Sequence, residues 1–214
     1  QASEEGLVHG QAGQYLVDGS VYETNDIKVT PSPGAVHIEN AQYVRFDGNH
    51  VRYTGAVGIL MASGTKEVTL VNNEVEETAG NGIEIGKFVV DDKTDYHTAY
   101  NPDDIREVCT NDRILNNKIH DIGTQYEGSV GIGAGYVQGI MIANNTVYNC
   151  PYTGISVGYG WTSDANPMKY NSIIRNEVYN VNNIVCDGGA IYTLSNQYPS
   201  SRIEENYLHD NYAS

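Results

Sequence analysis

One step keeps returning in this chain: an asparagine, any residue, then an aliphatic. It occurs at Asn49-His50-Val51, Asn73-Glu74-Val75, Asn117-Lys118-Ile119, Asn145-Thr146-Val147, Asn176-Glu177-Val178 and Asn206-Tyr207-Leu208. The asparagines stand 24, 44, 28, 31 and 30 residues apart. A second series opens on glycine, at Gly58-Ile59, Gly82-Ile83, Gly131-Ile132, Gly154-Ile155 and Gly189-Ala190-Ile191. Self-similarity of this kind marks a repeat architecture. A helical repeat would need apolar residues at i, i+3 and i+4 over ten or more positions. These apolar runs are short, β-branched and broken by Gly and Asn, so they read as strands. A propeller blade needs about 40–50 residues. The shorter intervals hold two or three strands, which is one coil of a solenoid, with coils about 4.8 Å apart. The expected fold is all-β: a right-handed parallel β-helix of five to six coils, since parallel crossovers are almost always right-handed.

The ladder asparagine has a structural reason: Asn tolerates left-handed backbone at a corner, and its amide can hydrogen-bond the Asn of the next coil. Strands are expected near 36–40, 58–62, 82–86, 130–134, 154–158 and 189–194, and near 67–71, 113–115, 140–143 and 172–175. His120-Asp121, Tyr148-Asn149, Tyr179-Asn180 and His209-Asp210 share one register after the ladder aliphatic. A column repeated in four coils reads as a stacked corner rather than as catalysis. Residues 1–34 are expected to form an irregular lead-in and 35–214 the β-helix domain, which is expected to be incomplete at its C-terminal end. Two loops interrupt the coils, at 88–110 and 159–170. They are expected on one side, walling a cleft floored by the Gly-Ile strands. The cleft's aromatic surface is expected from Tyr136, Tyr152, Tyr159 and Trp161, with His97 among its binding residues.

Composition narrows the partners. With 12 basic and 27 acidic residues the net charge is −15, which disfavours nucleic acid and anionic membranes. The aromatic residues are 17 Tyr, 2 Phe and 1 Trp, which with the Asn and Gly suits a wet, sugar-stacking surface. No apolar stretch reaches the roughly 18 residues a membrane span needs. Three cysteines, Cys109, Cys150 and Cys186, argue against a disulfide framework. Cys150 and Cys186 fall close in coil register, and buried free thiols are the preferred reading. Asp91, Asp92 and Asp95, with His97 nearby, could hold Ca²⁺, but they lack the spacing of a recognised calcium loop. No cofactor is expected. The coil after Leu208 has no cap, so missing sequence, a second chain or a dimer mate is expected to cover that end.

Three strings together carry a family likeness: Tyr126-Glu127-Gly128-Ser129-Val130-Gly131-Ile132, Pro151-Tyr152-Thr153-Gly154-Ile155-Ser156-Val157-Gly158-Tyr159-Gly160-Trp161, and Asp187-Gly188-Gly189-Ala190-Ile191-Tyr192-Thr193-Leu194. They resemble the secreted bacterial right-handed parallel β-helix proteins of carbohydrate metabolism, over about residues 35–210. These include β-helical glycoside hydrolases of the fucosidase/xylanase and lacto-N-biosidase groups. The resemblance implies a secreted or bacterial cell-surface protein acting on carbohydrate. It assigns no catalytic residue here.

Coil position ranks the carboxyl groups. Asp187 precedes two glycines, and Glu127 lies two coils away, roughly 9–10 Å on the strand spacing. That is near the upper end of the separation inverting glycosidases use, about 6.5–9.5 Å. Glu84 faces outward between the inward Ile83 and Ile85. It lies three coils from Asp187, roughly 14 Å. Asp187 is therefore the expected catalytic carboxyl, with Glu127 first as its partner and Asp121 or Glu84 in reserve. The reading is a glycoside hydrolase of neutral glycans using paired carboxylates. A non-catalytic carbohydrate-binding β-helix, of tailspike or adhesin type, and a polysaccharide lyase are the alternatives.

Overall fold

The computed structural model describes residues 15–17, 29–88, 97–198 and 200–212. Three six-stranded parallel sheets run the length of the chain. The Gly-Ile sheet contains Gly34–Ile38, Val57–Met61, Ile83–Ile85, Ile132–Ala134, Ile155–Val157 and Ile191–Thr193. The second contains Arg45–Asp47, Thr69–Val71, Arg113–Leu115, Met141–Ala143, Ser172–Ile174 and Arg202–Glu204. The third contains His50–Thr54, Glu74–Thr78, Lys118–His120, Thr146–Cys150, Glu177–Val181 and Tyr207–Asn211. Every coil visits the three sheets in that order, and each strand pairs with its counterpart one coil away. The result is a parallel β-helix of six coils. In the lead-in, Tyr15–Val17 pairs antiparallel with Val29–Pro31. Among the described residues no helix is long and apolar enough to cross a membrane.

The core is a column with one residue per coil at each inward position. Ile59, Ile83, Ile132 and Ile155 stack in register on the Gly-Ile sheet, and all four are fully buried. The glycine before each isoleucine is needed for close approach. A Cβ at Gly154 would lie 2.3 Å from Val178 Cγ1 and 2.9 Å from the Ala190 carbonyl.

The asparagine ladder holds the corner between the second and third sheets. Each Asn accepts at Oδ1 from both the backbone N–H and the side-chain amide of the Asn one coil before it. This runs unbroken from Asn49 to Asn206. Each ladder amide from Asn73 onward also donates to a backbone carbonyl. The left-handed residue, however, is the one before the ladder Asn: Gly48, Asn72, Asn116, Asn144, Arg175 and Glu205. On the third sheet's outer face the rings of His120, Tyr148, Tyr179 and His209 stack at 4.7–4.8 Å. The column stacks as expected, but it stands on the strands of the third sheet and not at a corner. His120 is braced by Asp121 Oδ2 at 2.6 Å and Glu74 Oε1 at 3.2 Å.

The cysteines follow only part of the expectation. Cys109 and Cys150 are buried, whereas Cys186 is exposed, and all three are free. Cys186 lies in the long corner after Val181, outside the strand register that placed it beside Cys150.

Candidate active site

The outward column of the Gly-Ile sheet reads His37, Leu60, Glu84, Gly133, Ser156 and Tyr192 across successive coils. Both inserted loops leave this sheet at the same edge. They share a small apolar core of Phe88, Ala99, Tyr100, Val108, Tyr136, Tyr159 and Met168. Phe88 meets Tyr159 edge-on at 5.8 Å, and the Tyr136 hydroxyl donates to the Tyr159 carbonyl at 2.7 Å. These contacts weld the loops into one wall beside the strands.

Between the first loop and the sheet lies a cavity of about 900 Å³ whose lining includes Glu84, His37, Lys87, Tyr100 and Glu107 and no residue of the second loop. Glu84 is 2% exposed and accepts a hydrogen bond from Asn81 Nδ2 at 3.0 Å. Asn81 is itself fixed, accepting from the Val130 N–H at 2.8 Å. Burial pushes the Glu84 carboxyl up to about 8, and the Asn81 amide offsets only part of this. Glu84 is therefore a neutral carboxylic acid at neutral pH, held by one amide and facing a cavity. Sequence placed Glu84 on the outward face and the first loop beside it, where the structure finds both, but gave no sign that the carboxyl itself is buried.

The four carboxyl groups singled out from sequence fall in three places. Glu84 lines the large cavity. Asp121 and Glu127 share a second hollow of about 390 Å³, together with Glu77 and Asn149. Asp121 is held below the usual carboxylate range: burial acts against this, but hydrogen bonds from His120 and Asn149 outweigh it. Glu127 is exposed. Asp187 is exposed too and lines neither cavity. Its backbone is pinned, because the Tyr152 hydroxyl donates to its carbonyl. Beside it a Cβ at Gly188 would lie 2.4 Å from Thr153 Oγ1.

The expected aromatic surface needs correction. Tyr136 and Tyr159 are 1% exposed and Tyr152 is 5% exposed. Tyr136 and Tyr159 are spent inside the wall, and Tyr152 packs against Val130. The Tyr136 phenol donates to the Tyr159 carbonyl and the Tyr152 phenol to the Asp187 carbonyl, so neither is turned toward a ligand. Trp161 alone among the four is open, at 56%. His97 is exposed on the first loop. Asp91, Asp92 and Asp95 lie outside the described residues, and among the described residues no cluster suited to a metal occurs. Glu107 and Tyr100, with Lys87 just before the loop, belong to no sequence motif. Their one signal was the density of charged and aromatic residues in the first loop.

A solved structure titled "Glycoside hydrolase" is similar to this chain, with a TM-score of 0.84 and 27% identity. The match covers 94% of this chain and 35% of that one, so the chain spans about a third of its neighbour's length. No curated protein matches. The model of the family described as "Right handed beta helix region" matches residues 34–214. That span contains all eighteen strands of the three parallel sheets, and the chain belongs to the right-handed β-helix family.

Proposed function

We propose that the chain carries the catalytic cleft of a glycoside hydrolase acting on a neutral glycan or oligosaccharide, with Glu84 as the acid that protonates the departing oxygen. The observation that carries this is Glu84 itself, a buried and oriented carboxyl group at the wall of a ligand-sized cavity. Glycoside cleavage needs one carboxyl protonated and one ionised, and a desolvating pocket is how a carboxylic acid stays protonated near pH 7. The similarity to a protein named a glycoside hydrolase supports the same reading. The test is reducing-end release from neutral oligosaccharides by the full-length protein, in the presence of EDTA. Release that persists in EDTA is expected. An unsaturated product, or binding without any cleavage, would sink the hydrolase reading in favour of a lyase or a binding module.

A second reading keeps Asp187 as the catalytic carboxyl with Glu127 as its partner. It is favoured by the fixed backbone and free carboxylate of Asp187. Asp187→Asn discriminates: turnover within about twofold of wild type is expected if Glu84 is the acid, and a loss of about 10²-fold or more favours Asp187.

Trp161 is proposed to stack on the sugar. Trp161→Ala is expected to weaken glycan affinity by about 1 kcal/mol and leave the thermal midpoint in place. Unchanged affinity would remove it from the binding surface.

The last coil is proposed to be covered by further polypeptide, a second chain or a dimer mate. Ile203 and Leu208 continue the buried columns of Ile173 and Val178, yet are 51% and 45% exposed. Sedimentation should show this 214-residue chain self-associating. A monodisperse monomer would contradict the proposal.

A further inference from the structure

We propose that Glu107 is the second catalytic carboxylate, the base that activates water in the cavity where Glu84 is the acid; the inference rests on the hydrolase reading of that cavity. Glu107 ends the 3-10 turn Ile105–Glu107 and lines the cavity with Glu84. Its main chain is docked on the preceding coil. The carbonyl accepts from Ser63 Oγ at 2.9 Å and from the Gly64 N–H at 3.0 Å. Its side chain is held from two sides at one oxygen. Tyr100 Oη donates to Oε2 at 2.9 Å, and Lys87 Nζ stands 3.7 Å from the same atom. Lys87 also lies over the Tyr100 ring, 5.1 Å from its centre. Oε1 takes part in neither contact, which leaves it for a water.

The two carboxyl groups sit in contrasting surroundings. Glu84 is desolvated with a single amide partner, whereas Glu107 has an ammonium and a phenol beside it. Burial, with the Glu107 charge added, raises the Tyr100 phenol, so it remains a donor to the carboxylate. Environments that differ in this way assign an acid and a base. Three other acids line the cavity, Asp103, Asp104 and Glu39, and Asp104 has both oxygens occupied by Arg106. Glu39 is paired only with His37, at 3.4 Å.

In the proposed step Glu107 takes a proton from water as the water oxygen bonds to the anomeric carbon. The bond from that carbon to the glycosidic oxygen breaks, and the oxygen receives the Glu84 proton. Glu84 is left ionised and Glu107 protonated, and solvent exchange resets both.

The experiment uses the full-length protein with a panel of 4-nitrophenyl glycosides and the matching unsubstituted oligosaccharides. Glu107→Gln is expected to lower kcat by about 10²–10⁴-fold on both kinds of substrate, with KM little changed. Azide should restore turnover and leave a glycosyl azide, which requires a folded site. Glu84→Gln should lose only the unsubstituted substrates, because nitrophenolate departs without an acid. If Glu107→Gln stays within about fivefold of wild type where Glu84→Gln fails, the base assignment is overturned and the hydrolase reading stands. A loss that azide does not rescue also overturns it, by assigning Glu107 to holding the loop. If both variants are active and Asp187→Asn is not, the reaction lies outside this cavity.

Discussion

Replacing Glu84 by glutamine is expected to cut turnover of unactivated glycosides by about 10²–10⁴-fold and, at the same time, to stabilise the protein in alkaline solution. Both effects have one cause. Glutamine keeps the volume and the contact with Asn81 but cannot give up a proton. In the wild type the native state binds the Glu84 proton more tightly than the unfolded chain does, with the group raised from 4.5 to about 8. That contribution to stability is complete below pH 4.5 and is lost as pH rises through about 8. A shift of this size corresponds to about 3–5 kcal/mol. Urea unfolding at several pH values checks it: the wild-type midpoint should fall relative to the variant between pH 5 and 8, and the gap should then level off. Parallel curves would mean that Glu84 titrates as an ordinary exposed carboxyl.

Asn145→Leu is the second large expected effect, on folding rather than chemistry. Asn145 is 1% exposed. Its Oδ1 accepts the backbone N–H and side-chain amide of Asn117, and its own amide donates to Asn176 and to the Ile114 carbonyl. Leucine approximates the volume and removes every one of these bonds, leaving buried donors on Asn117 and a buried carbonyl on Ile114 without partners. Each orphaned group costs about 1–3 kcal/mol, so a loss of about 3–5 kcal/mol is expected. For a domain of this size that lowers the thermal midpoint by about 10 °C. Asn49→Leu, at the exposed first rung, should cost about 1 kcal/mol. Equal losses at the two rungs, read by calorimetry, would show that the ladder does not stabilise through its buried amides.

Residues with a plain period were legible in the sequence. The Asn step gave the ladder, and the Gly-Ile series gave the strands whose outer face floors the cavity. Its period of 2 also pointed Glu84 outward correctly. The third sheet escaped because its inward residues are three apart, as in Val178 and Val181, with left-handed Asn180 between them. A search for strict alternation passes over such a strand. Left-handed backbone was expected at the ladder Asn itself, but the preceding residue makes the turn, which frees the Asn to bond along the column. The tyrosines misled for a different reason. Tyr159 opens an inserted loop and Tyr136 lies in the connection after Ile132–Ala134, where nothing periodic governs the side chain, so either could as well wall a cleft as pack beneath it. The site shared this fate. Burial of Glu84 depends on residues 97–107 folding back over the sheet, a tertiary event that no local pattern records.

The most direct measurement is a carbon-13 NMR titration of the Glu84 carboxyl between pH 4 and 10, assigned by its loss in the Glu84→Gln variant. A midpoint near 8 is expected, with the group protonated at pH 7. A midpoint near the ordinary glutamate value, about 4.3, would leave the cavity without an acid and contradict the mechanism.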